Sequence, residues 1–280
     1  MKRMDAPSLI PEIPWRIHRY DTVDSTQNLA LHEARNIVST NPDLPPCSHF
    51  SVHIAQRQTQ GRGQYARAWE SPAGGLYLSL VIAGAPELES HATPLLAGVA
   101  VIRTILRLPG IRAAEGDITI RWPNDILLGG KKLAGILSEG ISQGRQKAVV
   151  IGIGLNLNTK TADFPPRIAT FATSLAAFTR RIYDTSDVVR LLLDQFQTIW
   201  RGLAAVPRSA TLDDAIKQIS LHDYLQGRLV SICADGQTIT GRGDGLSAEG
   251  ALLLQTAGRL IPILSGTIVA VDGEPVRAAL

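Results

Sequence analysis

The feature that most limits how this chain can fold is a change of hydrophobic period near Leu225. Beyond it, residues 229–232, 237–240, 251–254 and 267–269 read as short strands, separated by Gly236, Gly241, Gly245, Gly250, Gly258 and Gly266. About fifty-five residues in that pattern predict a small all-β barrel. Before Leu225 the pattern is mixed. Strands are expected at 15–20, 50–55, 76–82, 118–122 (broken by Pro123-Asn124-Asp125 and resumed by 126–128), 131–137 and 147–158. Helices are expected from about Asp24-Ser25 onward, over 93–108 up to Pro109-Gly110, over 186–204 and over 211–219. Val188, Val189, Leu191, Leu192, Leu193, Phe196, Ile199 and Trp200 make one apolar face of the third helix. The reading is a mixed-sheet α/β domain over 1–222 and a small barrel over 223–280.

Composition narrows the class. With 280 residues, 45% hydrophobic and 19% charged, the chain can bury a large core. A net charge of +3 is too weak to argue for nucleic acid, but it is compatible with small anions. The two cysteines, Cys47 and Cys233, have no ligand-like spacing, which points to a reducing compartment. Pro7, Pro11, Glu12 and Pro14 interrupt any apolar leader, and the apolar run 95–108 carries Arg103 and Arg107 and is too short to span a bilayer. A cytoplasmic protein is the expectation.

Chemistry gathers in four separated stretches. Residues 58–72, Gln-Thr-Gln-Gly-Arg-Gly-Gln-Tyr-Ala-Arg-Ala-Trp-Glu-Ser-Pro, place two glycines, two arginines and a tryptophan between two strands. Arginine forks match phosphate and carboxylate oxygens, glycine lets backbone N–H groups approach an anion, and tryptophan offers a purine a flat face. Taken alone this is also what a solvated basic loop looks like. Ser25-Thr26 sits at a helix start, where a hydroxyl either caps the helix or holds a polar ligand head. Residues 121–135 add Arg121, Asp125 and Lys132, and 152–158 add Gly152, Gly154, Asn156 and Asn158. Together these cations could gather a carboxylate and a polyphosphate in one pocket, and Asp125 could help hold Mg²⁺.

The combination resembles the biotin protein ligases. The matching residues are Asp24-Ser25-Thr26, Gln58-x-x-Gly61-Arg62-Gly63-x-x-x-Arg67-x-Trp69-x-Ser71-Pro72-x-Gly74, Trp122-Pro123-Asn124-Asp125, Lys131-Lys132-Leu133-Ala134-Gly135-Ile136-Leu137 and Gly152-x-Gly154-x-Asn156. The resemblance implies a catalytic domain like that of class II aminoacyl-tRNA synthetases, a mixed sheet flanked by helices, followed by an SH3-like barrel. It implies an enzyme that uses ATP, Mg²⁺ and biotin to form biotinyl-5′-AMP and pass biotin to one lysine of a biotin carboxyl carrier protein. By position it places Ser25, Thr26, Gln58 and the Gly61 backbone on the biotin ring, and Arg62 and Arg67 on phosphate and carboxylate. Trp69 would pack on adenine, and Lys132 would bridge the biotin carboxyl and the α-phosphate. Asn124, Asn156 and Asp125 would contact nucleotide or magnesium. Trp122 is expected in the core, Gly135 to serve close packing, Gly152 to distort its strand, and Lys131 to be solvated, since adjacent strand residues face opposite ways.

The chain departs from the family's loop, which commonly runs Gly-Arg-Gly-Arg-x-Gly-Arg: Gln64 replaces an arginine and Ala66 a glycine. A lid that closes less tightly over the adenylate is expected, because alanine resists positive φ. The Asp24-Ser25-Thr26 box lies close to the start, so no helix-turn-helix domain and no sequence-specific DNA binding are expected; the resemblance allows a homodimer. A lipoate or octanoate ligase of related fold is the rival enzyme, disfavoured by the Arg-x-Trp loop and the barrel. A basic nucleic-acid-binding protein would need clustered charge that is absent.

Overall fold

The computed structural model describes residues 14–41, 43–45, 48–84, 92–111, 117–204 and 209–276. The N-terminal segment 1–13 and Cys47, on which the leader and redox readings partly rest, lie outside these. In chain order the first unit runs β1 (Arg16–Val23), α1 (Thr26–Thr40), β2 (His49–Gln58), β3 (Leu76–Ala83), α2 (Ala92–Leu106), β4 (Ile118–Arg121), β5 (Asp125–Leu128), β6 (Lys131–Gln143) and β7 (Gln146–Leu155). It continues with α3 (Pro166–Ala169), α4 (Leu175–Thr179), α5 (Thr185–Ala204) and α6 (Ser209–Leu221). The seven strands form one sheet in the order β1-β2-β3-β7-β6-β5-β4, with β1–β2 parallel and the other pairs antiparallel. This is the mixed sheet expected.

Helices cover both faces. Ala30, Leu31, Ala34 and Val38 of α1, at spacings of one, three and four, pack on Val81, Ala83, Ala148 and Val150 on one side. On the other side α2 is buried against Val52, Ile54, Leu78, Leu80 and Ile120, with α5 outside it. Every residue of β3 is buried, because its strand is covered on both faces. No helix among the described residues is long and apolar enough to cross a membrane.

Residues 121–125 correct the sequence reading. Asp125–Leu128 does not resume β4; it turns back on it, with Arg121 opposite Asp125 and Ile118 opposite Leu128. The reversal occurs at the cis Trp122–Pro123 bond, where proline cannot donate to a continuing ladder. Arg121, Asp125 and Lys132 thereby come side by side.

The C-terminal unit is one antiparallel sheet, ordered β11-β10-β9-β8-β12-β13, consistent with an SH3-like fold. Its strands are β8 (Leu229–Ala234), β9 (Gln237–Leu246), β10 (Leu252–Thr256), β11 (Arg259–Ile263), β12 (Thr267–Val271) and β13 (Glu274–Pro275). Two of them, β11 and β13, were not foreseen; each contains a proline and lies at a sheet edge, where a missing donor is tolerated. Strand β9 runs through Gly241, Gly243 and Gly245 instead of ending at them. A Cβ on Gly243 would lie 2.2 Å from the Leu225 carbonyl, so the glycine admits the chain that enters the barrel. Trp122 is 2% exposed and donates its Nε1 hydrogen to the Gly250 carbonyl (3.1 Å), joining the two units at the core position expected of it.

Candidate active site

The motifs from all four stretches meet in one cleft that opens to solvent. Its floor is the β3-β7-β6 part of the sheet, its roof is the 62–69 loop, and Gly266, Thr267, Ile268 and Val276 close one side from the C-terminal unit.

The first end is polar and neutral. Ser25 holds the N-cap position of α1, yet its hydroxyl makes no capping bond. It is fully buried, lines the cleft and has no hydrogen-bond partner. A buried unpaired hydroxyl costs about 1–3 kcal/mol, so its presence favours a ligand over a cap. Asp24 instead accepts from the Ser25 amide (2.7 Å) and Asn28 (2.9 Å), and these bonds hold its carboxyl below the usual range. Gln58 accepts from the Thr26 amide through Oε1 (2.8 Å) and donates to Ser71 (2.9 Å). Two neighbours missed in the sequence complete this end. Gln27, 3% exposed, takes a hydrogen bond from Ser79 (3.0 Å) and gives one to Glu139 (2.9 Å).

The middle of the floor is glycine for a reason. Trp69 lies flat on Gly135 and Gly154, where added Cβ atoms would fall 2.7 and 2.3 Å from its ring. Its Nε1 is buried and unpartnered. Gly135 thus serves close packing as expected. Gly152 does not distort its strand, since β7 pairs in register on both sides through it; it makes room for the Gln27 amide, 2.5 Å from where a Cβ would be.

Charge collects beside that indole. Lys132 sits with its Nζ 5.3 Å from the Trp69 ring centroid and 2.7 Å from Asp125 Oδ1. Arg121 pairs with the other Asp125 oxygen at 2.6 Å. Burial pushes the Asp125 carboxyl up, but Lys132 and Arg121 outweigh it and hold the group below its ordinary value. Both Asp125 oxygens face cations, one each, and among the described residues there is no grouping of three His, Cys, Asp or Glu that could hold a metal by itself. Asn124 gives its amide hydrogen to the Ile136 carbonyl (2.8 Å) and lines the cleft. Lys131 is exposed at the hairpin, as expected.

In the loop, Arg62 reaches Glu139 (3.0 Å) and Asn28 (3.2 Å) at the rim. Arg67 lines the cleft with its guanidinium carbon 5.7 Å from the Tyr65 ring centroid. Tyr65 and Ala66 hold φ of 56° and 58°, a left-handed backbone that favours glycine.

Two predicted residues are not brought to the cleft. Gly61 is buried in the loop's neck, where its carbonyl accepts from Trp69 N (2.8 Å), and it does not line the cleft. Asn156 is 4% exposed and lies beyond the strand end, where its backbone ties Leu133 to Leu175. It does not line the cleft.

Comparison with known proteins follows the same lines. Residues 35–156 match the biotin/lipoate A/B protein ligase family model, and 226–270 match the biotin protein ligase C-terminal domain. The chain is 34% identical over 258 residues to the bifunctional ligase/repressor BirA of Bacillus spizizenii, spanning 89% of this chain and 72% of the relative. It is 30% identical over 224 residues to the biotin–[acetyl-CoA-carboxylase] ligase of Mycobacterium tuberculosis, covering 78% of each. The solved biotin protein ligase from Aquifex aeolicus in complex with biotin and ATP superposes with a TM-score of 0.69 at 26% identity, over 91% of this chain and 98% of that one.

Proposed function

The chain belongs to the biotin protein ligase family, and from that premise we propose that it transfers biotin to a carrier-domain lysine through biotinyl-5′-AMP, using ATP. The observation that carries this reading is the joint placement of Lys132 against Trp69 and of the unpartnered Ser25 hydroxyl in one cleft.

In the first half-reaction a biotin carboxylate oxygen attacks the α-phosphorus of ATP. The bond to the bridging oxygen breaks and pyrophosphate leaves. Two anions must approach, and fixed cations that meet the charge at phosphorus lower that barrier. Lys132 would lie between carboxylate and phosphate, with Arg62 and Arg67 meeting them from the loop. Ser25, Thr26 and Gln58 would bind the biotin ring, Trp69 would carry the adenine, and Asn124 would reach the nucleotide. Asp125 keeps Lys132 and Arg121 together as their counter-ion. Its lowered pKa makes it a weak base, so the proton of the incoming amine is not assigned to it. Magnesium would ride on the nucleotide's phosphates without a protein cage, and no step is assigned to it.

In the second half-reaction the neutral ε-amine of a carrier lysine attacks the anhydride carbonyl, the bond to AMP breaks, and the nitrogen gives its extra proton to the departing AMP or to solvent. A closed 62–69 loop would exclude water from this anhydride. Incubation with ATP, biotin and a biotin carboxyl carrier domain should raise the carrier's intact mass by one biotinyl group. A carrier whose target lysine is changed to arginine should remain unmodified. Failure to modify the wild-type carrier domain of every biotin-dependent carboxylase tried would contradict the proposal.

A further inference from the structure

We propose that Glu139, on the rim of the cleft and outside its lining, is a positioning residue that fixes which way the hydrogen bonds at the biotin end point. The proposal rests on the placement of the biotin ring at Ser25 and Thr26 argued above. Glu139 Oε1 accepts from Arg62 Nη2 (3.0 Å) and Oε2 from Gln27 Nε2 (2.9 Å). A carboxylate only accepts, so Gln27 must turn its NH₂ toward Glu139 and its carbonyl toward Ser79. Ser79 therefore donates to Gln27 Oε1 (3.0 Å). With its one hydrogen committed, Ser79 can only accept across the 2.9 Å contact with Thr26 Oγ1. Gln58 Oε1, which also accepts from the Thr26 amide, is a second acceptor for the same hydroxyl at 3.2 Å; Ser79, with no hydrogen left to give, holds the Thr26 hydrogen across the shorter 2.9 Å contact. Thr26 then directs its hydrogen at Ser79 and leaves lone pairs toward the cleft. A cyclic urea N–H is what such an acceptor recognises. Gln27, Ser79 and Thr26 are each at most 3% exposed, so water does not compete along the chain.

Replacing the carboxylate by an amide breaks this order. Gln at 139 has one carbonyl for two donors, and the charged guanidinium of Arg62 takes it more strongly than a neutral amide does. The amide NH₂ would then face Gln27, whose amide must flip. Ser79 would accept from Gln27 and donate to Thr26, taking up a Thr26 lone pair that the cleft would use and leaving the Thr26 hydrogen only the longer contact to Gln58 Oε1 (3.2 Å).

The test is a double-mutant cycle on biotin affinity, by titration calorimetry of the full chain. Glu139→Gln and Ser79→Ala are each expected to weaken biotin about ten-fold, the scale of one mismatched buried hydrogen bond. The double variant should bind no more weakly than the worse single one, because both act on the same chain. Glu139→Asp, which keeps two acceptors, should restore affinity to within about three-fold of wild type. Wild-type affinity in Glu139→Gln, or losses that multiply in the double variant, would overturn the proposal while leaving the biotin reading intact. A wild type that binds no biotin would overturn both.

Discussion

Trp69 rests on Gly154 so closely that a Cβ at residue 154 would lie 2.3 Å from the indole Cε2. Glycine at 154 and at 135 is therefore a property of the tryptophan, and the tryptophan's position is a property of the sheet beneath it.

Gly154→Ala should lift the indole and misplace the adenine without unfolding the domain. Base–aromatic stacking amounts to roughly 1–3 kcal/mol, so the KM for ATP should rise about 5- to 150-fold. The KM for biotin should change far less. Steady-state kinetics in both substrates checks this; equal rises in both would place Trp69 elsewhere than on the nucleotide.

Asp125→Asn leaves Lys132 and Arg121, each 15% exposed or less, facing one another without a counter-charge. Removing one member of a buried ion pair costs about 3–5 kcal/mol, so a clear drop in thermal midpoint is expected at neutral pH. The sign of the pH dependence follows from the lowered pKa of Asp125. Its contribution is present above the unfolded carboxylate range and is lost as pH falls through the folded value. Wild type and variant should therefore converge in strongly acid solution, as followed by denaturant unfolding across pH.

A second acid-labile contact lies away from the cleft. Burial raises the Glu33 carboxyl, but hydrogen bonds from His49 (2.8 Å), His53 (2.5 Å) and Ser51 (2.9 Å) reverse this and hold it well below its ordinary value. Glu33→Gln should be less stable than wild type at pH 7 by about 1–3 kcal/mol. The gap should close as pH falls through the folded pKa of Glu33, and a gap that widens in acid would contradict this.

The Gln64→Arg/Ala66→Gly variant tests the lid. Ala66 holds φ of 58°, and glycine relieves about 1 kcal/mol of that strain while the new guanidinium adds a cation. Release of biotinyl-AMP, measured in a rapid-dilution chase, should slow at least several-fold. Unchanged release would show that neither position limits closure.

Much of the fold was legible because its signals are local. The alternation of β8 to β10, the apolar stripe of α5 and the helix start at Ser25 are written in neighbouring residues. The hairpin at 121–125 was not, because a proline break reads alike whether the chain continues or reverses. The site was legible where motif residues face the cleft, as Lys132, Trp69, Thr26 and Gln58 do. Gln27 and Ser79 were missed since a buried glutamine and a strand serine carry no signal until α1 is laid over β3. Gly61 and Asn156 belong to the motifs yet shape backbone outside the cleft, a distinction that only packing reveals.

The most direct test of carboxylate activation in this cleft is ATP–pyrophosphate exchange by the purified protein with biotin, lipoate or octanoate, for wild type and Lys132→Ala. Exchange with biotin alone, reduced at least about 100-fold in Lys132→Ala, is the predicted result, the scale of one lost charge stabiliser at the reacting centre. Exchange with lipoate or octanoate instead, or exchange that survives in Lys132→Ala, would contradict the assignment.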